Sequence, residues 1–297
     1  MRLILGTAKI GMPSYGVNSP HVLSDGESSR IIRTAAVIVD TVDTAAAYGD
    51  AEERLGYEGI RWARLVTKVL PLLSAHPDHL SRAVASLVVA SSERCAYYYP
   101  FHGVLLHTPG QVHDPAMRAA LFALRDDGLA EHVGVSAYEP ADALAALEYG
   151  CDMVQVPYSL VDQRHERAGV FKEAKARGAL CYVRSPFLLG ALIHPPVPCP
   201  PEIAEVRKFA RSVRMQVPEC GGDAQVPIEE LAMRFAATCD ADGLVFGVSS
   251  VAQLEQNVAV ARAEHHPADD VRETCVELFG GYGLTVPSLW AVKEEQP

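Results

Sequence analysis

Short apolar runs alternate along the chain with longer segments whose apolar residues recur every three or four positions. The runs at 2–5, 36–39, 63–68, 103–106, 130–136, 153–156, 180–183 and 243–246 read as buried strands. The longer segments read as helices at 25–36, from 52 onwards, and at 77–90, 115–128, 141–148, 164–177, 228–238 and 251–263. Leu80, Val84 and Leu87 form the apolar stripe of the third helix, Ser24 or Asp25 caps the first, and Asp114-Pro115 opens the fourth with proline at its first position. Strict strand–helix alternation implies a parallel sheet with crossover helices. Eight such units match a closed (β/α)8 TIM barrel in a single domain over residues 1–297. Two segments depart from the repeat. Residues 191–226 form a long Pro-rich connection after the seventh strand, helical over 202–214, and a helical tail runs from Asp269 to about Gly280-Gly281. A connection of that length on a barrel's catalytic face is expected to cover a site.

The 26 basic and 37 acidic residues leave a net charge of −11, which argues against nucleic acid and anionic membrane surfaces as partners. No apolar run approaches the roughly 18 residues of a spanning helix. Gly6 interrupts the apolar start, so no signal-peptide core is expected. The seven cysteines are spread singly, with no Cys-x-x-Cys pair, as in a reduced, cytoplasmic protein. No metal site is expected. His76/His79 and His265-His266 are the local histidine clusters, and neither has the Cys or acid spacing of a zinc site.

The chemistry concentrates in Val42-Asp43-Thr44-Ala45-Ala46-Ala47-Tyr48-Gly49. An acid ends a strand here, and a phenol lies on the connection to the next helix. The carboxyl end of a strand is where α/β barrels carry chemistry. Lys68 ends the third apolar strand and His107 follows the fourth. Each alone has an ordinary reading, as a cap, a surface ring, a solvated cation or a core histidine. All four at successive strand ends are harder to ascribe to chance.

This stretch resembles the Asp-Thr-Ala…Tyr-Gly signature of the aldo-keto reductases, and the resemblance runs along nearly the whole chain. Leu5-Gly6-Thr7-Ala8 with Tyr15-Gly16-Val17-Asn18 is similar to a bacterial branch of that family. The resemblance implies carbonyl reduction, with Tyr48 as proton donor, Lys68 lowering the phenol's pKa, Asp43 pairing with Lys68, and His107 polarising the substrate oxygen.

The resemblance also implies a nicotinamide cofactor. Gly6, Thr7, Ala8 and Asp43 would lie beside it, Ser136 and Gln155 would hold its carboxamide, and Arg184 would stack where many members carry an aromatic ring. Ala137 stands where an Asn is usual. Ser185, Pro186, Phe187, Leu189 and Gly190 would line the cofactor after the seventh strand. Phe246, Gly247, Val248, Ser249 and Ser250 would bring backbone N–H groups and hydroxyls to its phosphates at a helix start. Gln253 and Gly247 occupy positions where many members place a cation on the 2′-phosphate, and Gln256 and Asn257 match the adenine positions. NADP(H) is expected over NAD(H), on family grounds. There is no Gly-x-Gly-x-x-Gly or Walker A run.

A small carbonyl compound is the expected partner, of sugar or secondary-metabolite type, with Tyr15, Tyr138, Tyr158 and Phe187 shaping its pocket. A monomer or weak homo-oligomer is expected. Two competitors stand beside this reading: a cofactor-binding regulatory barrel with little turnover, and a lyase or isomerase using Lys68 as a Schiff base.

Overall fold

The computed structural model describes residues 1–17, 22–72, 77–98, 100–217, 222–263 and 269–281. Asn18, His76, Cys220, His265 and His266 lie outside the described residues. Seven strands come in chain order: β1 (Arg2–Gly6), β2 (Thr41–Asp43), β3 (Arg64–Val69), β4 (Phe101–Leu106), β5 (Ala130–Ser136), β6 (Met153–Pro157) and β7 (Leu180–Arg184). A two-stranded antiparallel hairpin follows, β8 (Arg214–Val217) with β9 (Gly222–Gln225), outside the barrel. β10 (Gly243–Phe246) then pairs in parallel with both β7 and β1 and closes an eight-stranded barrel. The expected (β/α)8 barrel is present, with helices on the crossovers.

Two apolar layers hold it. The larger lies between strands and helices and includes Leu5, Val42, Leu65, Val104, Val135, Val154 and Leu244. The smaller comprises Ile4, Val66, Leu105, Met153, Tyr182 and Val245, one residue from each of six strands, and plugs the barrel interior. Successive strand residues face opposite ways, so residues two positions apart share a face. Two positions beyond the plug, towards the carboxyl ends, stand Gly6, Lys68, His107, Gln155, Arg184 and Gly247. The strand period thus carries the candidate chemistry onto one ring above an apolar floor.

Several boundaries differ from the sequence reading. Residues 36–39 are not a strand. The helix Asp25–Ile38 runs through most of them, capped by a reciprocal Ser24–Glu27 box, and β2 begins only at Thr41. Ile31, Ile32 and Ala35 bury the helix face while Val37 is 85% exposed. Four apolar residues at a helix end look like a buried strand until the helix stripe is extended through them. The stripe of the helix Pro77–Cys95 uses Leu80, Val84 and Val88, with Leu87 only partly buried. The segment 164–177 is two helices, Arg164–Arg167 and Val170–Arg177, broken at Gly169, whose φ of +81° favours glycine. The short helix Ala8–Gly11 and the β8–β9 hairpin were not anticipated.

The tail is the helix Asp269–Phe279. Arg272 anchors it, donating to the Tyr158 hydroxyl at 3.1 Å and to Glu166 at 2.8 Å, with its guanidinium 5.0 Å over the Phe235 ring. Among the described residues no helix is long and apolar enough to cross a membrane.

His165, in the first half of the broken helix, is fully buried, with Nε2 3.1 Å from the Tyr138 carbonyl. Burial pulls its pKa down to about 4. An unfolded histidine titrates near ~6.5. Between these values the unfolded chain holds a proton that the folded chain lacks, so stability falls as pH drops through that window. His165→Gln is expected to recover about 3 kcal/mol of this loss. Urea titrations of both proteins at pH 7 and near pH 4 measure it, and parallel losses in the two would reject the assignment.

Candidate active site

Asp43 ends β2 and Lys68 lies one residue before the end of β3, on neighbouring strands. Both side chains are almost wholly buried, at 5% and 0% exposure. The Lys68 ammonium donates to the two Asp43 carboxylate oxygens at 2.8 and 2.7 Å and to the Thr44 carbonyl at 3.0 Å. Its three donors are therefore satisfied. Burial pulls the Lys68 pKa below the usual lysine range, and Asp43 opposes that pull. Gln155 adds a fourth contact, its amide donating to Asp43 Oδ1 at 2.7 Å.

Tyr48 stands above this pair, its ring 5.0 Å from the Lys68 ammonium and edge-on to His107 at 5.9 Å. Burial, followed by the Asp43 charge, pushes its phenol well above the usual tyrosine range, while Arg184 pulls it back. Lys68, expected to acidify the phenol, has its ammonium 5.0 Å from the Tyr48 ring. The ammonium is committed to Asp43, so the pair offers the phenol little net positive field. Arg184 is a cation that favours the phenolate. Burial, then Lys68, lowers the His107 pKa to about 4, so its imidazole is neutral at neutral pH.

Two glycines seat the Tyr48 loop. Gly49 has φ +56°, and a Cβ there would lie 2.1 Å from the Gly11 carbonyl oxygen. A Cβ on Gly11 would lie 1.9 Å from the Tyr48 carbonyl oxygen. The helix after the loop, Ala51–Glu58, is pinned through buried Glu52, which accepts from Thr67 at 2.8 Å and from Arg94 at 2.7 Å. Gly49→Ala is expected to cost at least about 2 kcal/mol of stability, through left-handed strain plus the clash. Thermal unfolding measures it, and an unchanged midpoint would contradict this packing.

Tyr48 and Asp43 open onto a cavity of about 360 Å³ that extends to the carboxyl end of β10. Gly6 and Ala8 line it after β1. Arg184, Ser185, Pro186, Phe187, Leu189 and Gly190 line it after β7. Gly247, Val248, Ser249, Gln253, Gln256 and Asn257 line it after β10. Tyr15, Gly16 and Val17 close one side, and the long connection after β7 supplies Ile193 and His194. That connection is tied down where Arg207 donates to the Leu192 and Ile193 carbonyls. Ser185, Leu188 and Leu189 all have φ between +52° and +64°. Left-handed backbone at three non-glycine residues costs of order 1–3 kcal/mol each, and such strain clusters at functional sites.

Other expected residues sit behind the wall. Thr7 donates to the Thr44 hydroxyl at 2.9 Å and is fully buried, Ser136 is 3% exposed, and Phe246 belongs to the core. Lys68 and Gln155 are likewise fully buried, whereas His107 and Ser250 are half-buried. Gln155 Oε1 is buried without a partner, as is Arg184 Nη2. The Arg184 guanidinium lies 4.4 Å over the Tyr138 ring. At the start of the helix Val251–Arg262, Ser250 accepts from the Gln253 N–H at 3.2 Å. Gln253 Oε1 accepts from the Ser249 N–H at 2.7 Å, so Gln253 caps the helix expected to meet phosphate. Tyr158 is not a pocket residue. It is fully buried, stacked on Phe235 at 5.4 Å. Lys9 and Glu229 line the cavity without having been anticipated, since neither falls at a strand end.

A barrel carrying a buried carboxylate–ammonium pair under a Tyr and a His, at the mouth of an elongated cavity, belongs to the broad class of (β/α)8 enzymes with the site on the carboxyl face. The chain belongs to the aldo/keto reductase family, whose model matches residues 2–274. Among solved structures it resembles aldo-keto reductase AKR11C1 from Bacillus halodurans in its holo form. That likeness is 20% identity over 94% of this chain and 92% of the other, at a TM-score of 0.72. It also resembles a putative aldo-keto reductase from Pseudomonas aeruginosa, with 22% identity over 87% and 88% of the two chains and a TM-score of 0.62. No curated protein matches the sequence.

Proposed function

We propose that the chain reduces an aldehyde or ketone with a nicotinamide dinucleotide, NADP(H) before NAD(H), and runs the reverse oxidation on the alcohol. The observation that carries this reading is Tyr48 in the wall of the elongated cavity, directly over the buried Asp43–Lys68 pair.

The residues fit a nicotinamide. The buried Gln155 Oε1 is an acceptor without a partner, matched to a carboxamide N–H donor. A Cβ on Gly247 would meet only the Gly6 oxygen, at 3.9 Å, so the backbone there is open to close approach by a flat ligand. The bound cofactor would supply the hydride; the chain's residues supply the rest. Tyr48 holds its proton through neutral pH and donates it to the carbonyl oxygen. Neutral His107 offers an N–H to the same oxygen. Asp43 keeps the buried ammonium in place, and Arg184 favours the phenolate left after donation. Tyr15, Val17 and Phe187 exclude water. The preference for NADP(H) rests on the family's usual cofactor.

A carbonyl of sugar or secondary-metabolite type is the proposed substrate class, in a cytoplasmic single-domain monomer or weak homo-oligomer. The test is turnover of NADPH and NADH against a panel of aldehydes and ketones, with alcohols for the reverse direction. Turnover that needs Tyr48 supports the reading. Tight dinucleotide binding with no turnover across the panel would move the chain to the regulatory alternative.

A further inference from the structure

The opposite end of the barrel carries a second polar centre that the proposed reduction does not use. A cavity of about 900 Å³ opens there, lined by Arg2 and Arg64 at strand starts, by His102, His132 and Tyr182 within their strands, and by Asp242 just before β10. The interior plug of Ile4, Val66, Leu105, Met153, Tyr182 and Val245 separates it from the carboxyl face. We propose that this amino-terminal mouth binds a divalent d-block cation of the zinc class through His102, Glu131 and His132.

The three residues come from neighbouring strands in fixed register. Phe101 pairs with Ala130 and Gly103 with His132, which sets His102 beside Glu131 and His132. A ring nitrogen of each histidine and a carboxylate oxygen of Glu131 lie within 4.8 Å of one another. The rings meet edge-to-face at 5.2 Å. His102 Nδ1 is 2.7 Å from Glu131 Oε2, and its other nitrogen, Nε2, is 3.0 Å from the Tyr182 hydroxyl. His132 Nδ1 lies 3.5 Å from Asp152 Oδ2. Asp152 is itself held by Arg125 at 2.9 Å and by the Val133 N–H at 2.7 Å. Histidine ligands oriented by a hydroxyl or carboxylate on the far nitrogen are the usual outer support of a metal centre.

A plain His102–Glu131 ion pair accounts for only half of this. It leaves a second imidazole edge-on to the first, with its Nδ1 facing Asp152 at 3.5 Å and a ring nitrogen within 4.8 Å of the other two donors. Two imidazoles and one carboxylate suit zinc, cobalt or nickel; magnesium and calcium prefer all-oxygen shells. Donors around a tetrahedral zinc ion sit about 2.1 Å from it, hence about 3.4 Å apart, so the 2.7 Å His102–Glu131 contact must open to admit the ion. The Glu131 side chain is 50% exposed. Three protein ligands would leave a fourth position facing the cavity. Arg2, Arg64 and Arg262 add positive charge to the mouth, but Arg2 faces Asp40 at 3.7 Å, and Asp242 lines the same cavity. The inference is independent of the reductase reading, because neither the cofactor cavity nor Tyr48 enters it.

The test uses the full chain stripped with a chelator, then titrated with Zn²⁺ in competition with a chromophoric chelator, and separately with Co²⁺ read by visible absorption. One equivalent of Zn²⁺ at micromolar or tighter Kd is expected, with a Co²⁺ spectrum of low coordination number. Glu131→Gln is expected to weaken binding at least about tenfold, and His132→Ala to abolish it. Cys199→Ser, at the exposed thiol, should change nothing. Circular dichroism checks folding, and the exposed Glu131→Gln keeps the test alive if His132→Ala does not fold. No Zn²⁺ binding tighter than about millimolar would overturn the proposal. So would stoichiometric binding that Glu131→Gln leaves intact, since the ion would then sit elsewhere on the chain.

Discussion

Tyr48→Phe is expected to lower kcat for carbonyl reduction by about 10²–10⁴-fold, the usual contribution of a positioned general acid. That is roughly 3–5 kcal/mol of transition-state stabilisation. The change removes one hydroxyl that faces the cavity and leaves the ring in place. Phe keeps the edge contact to His107 and the ammonium 5.0 Å from the ring. Folding stability should therefore move by less than about 0.5 kcal/mol. Steady-state rates at saturating cofactor, beside a thermal melt, separate the two effects. A variant that turns over at the wild-type rate would remove Tyr48 from the chemistry. One that melts much earlier would make its role structural.

Lys68→Met should act on the fold more than on the chemistry. It takes the cation from a fully buried pair and leaves Asp43 with Gln155 as its remaining side-chain partner. Breaking one side of such a pair costs about 3–5 kcal/mol, because the other charge is stranded. Replacing both, as Asp43→Asn with Lys68→Met, should recover much of that cost, since the desolvation penalty goes with the charges. Urea midpoints at constant m-value measure the three proteins. A double variant no more stable than Lys68→Met would mean that the pair is not the source of the loss.

The barrel and its ring of chemistry were legible because both depend on short-range period. Val66 and Lys68, Leu105 and His107, Met153 and Gln155, Tyr182 and Arg184 are each two apart, so an apolar floor residue marks its polar neighbour above. The failures came where distant contacts decide. The run at 36–39 had the apolarity of a strand, but the helix face Ile31, Ile32 and Ala35 continues into it. Tyr158 follows a strand end as a pocket residue would, yet Phe235 and Glu166 hold it inside. Residue types also do not reveal that Asp43 and Thr44 occupy the whole Lys68 ammonium. His102 and the Glu131-His132 dipeptide escaped for a related reason. Their approach depends on the β4–β5 register, and their spacing matches no linear metal motif.

The measurement closest to the central claim is a fluorescence titration of the wild-type protein and of Tyr48→Phe with NADPH and with NADH. The account predicts that at least one dinucleotide binds both proteins at micromolar Kd, with values within about twofold of each other, because Tyr48 donates a proton and does not hold the cofactor. If neither dinucleotide binds more tightly than about millimolar, roughly −4 kcal/mol, the cavity between Tyr48 and Asn257 is not a nicotinamide site and the reductase reading is contradicted.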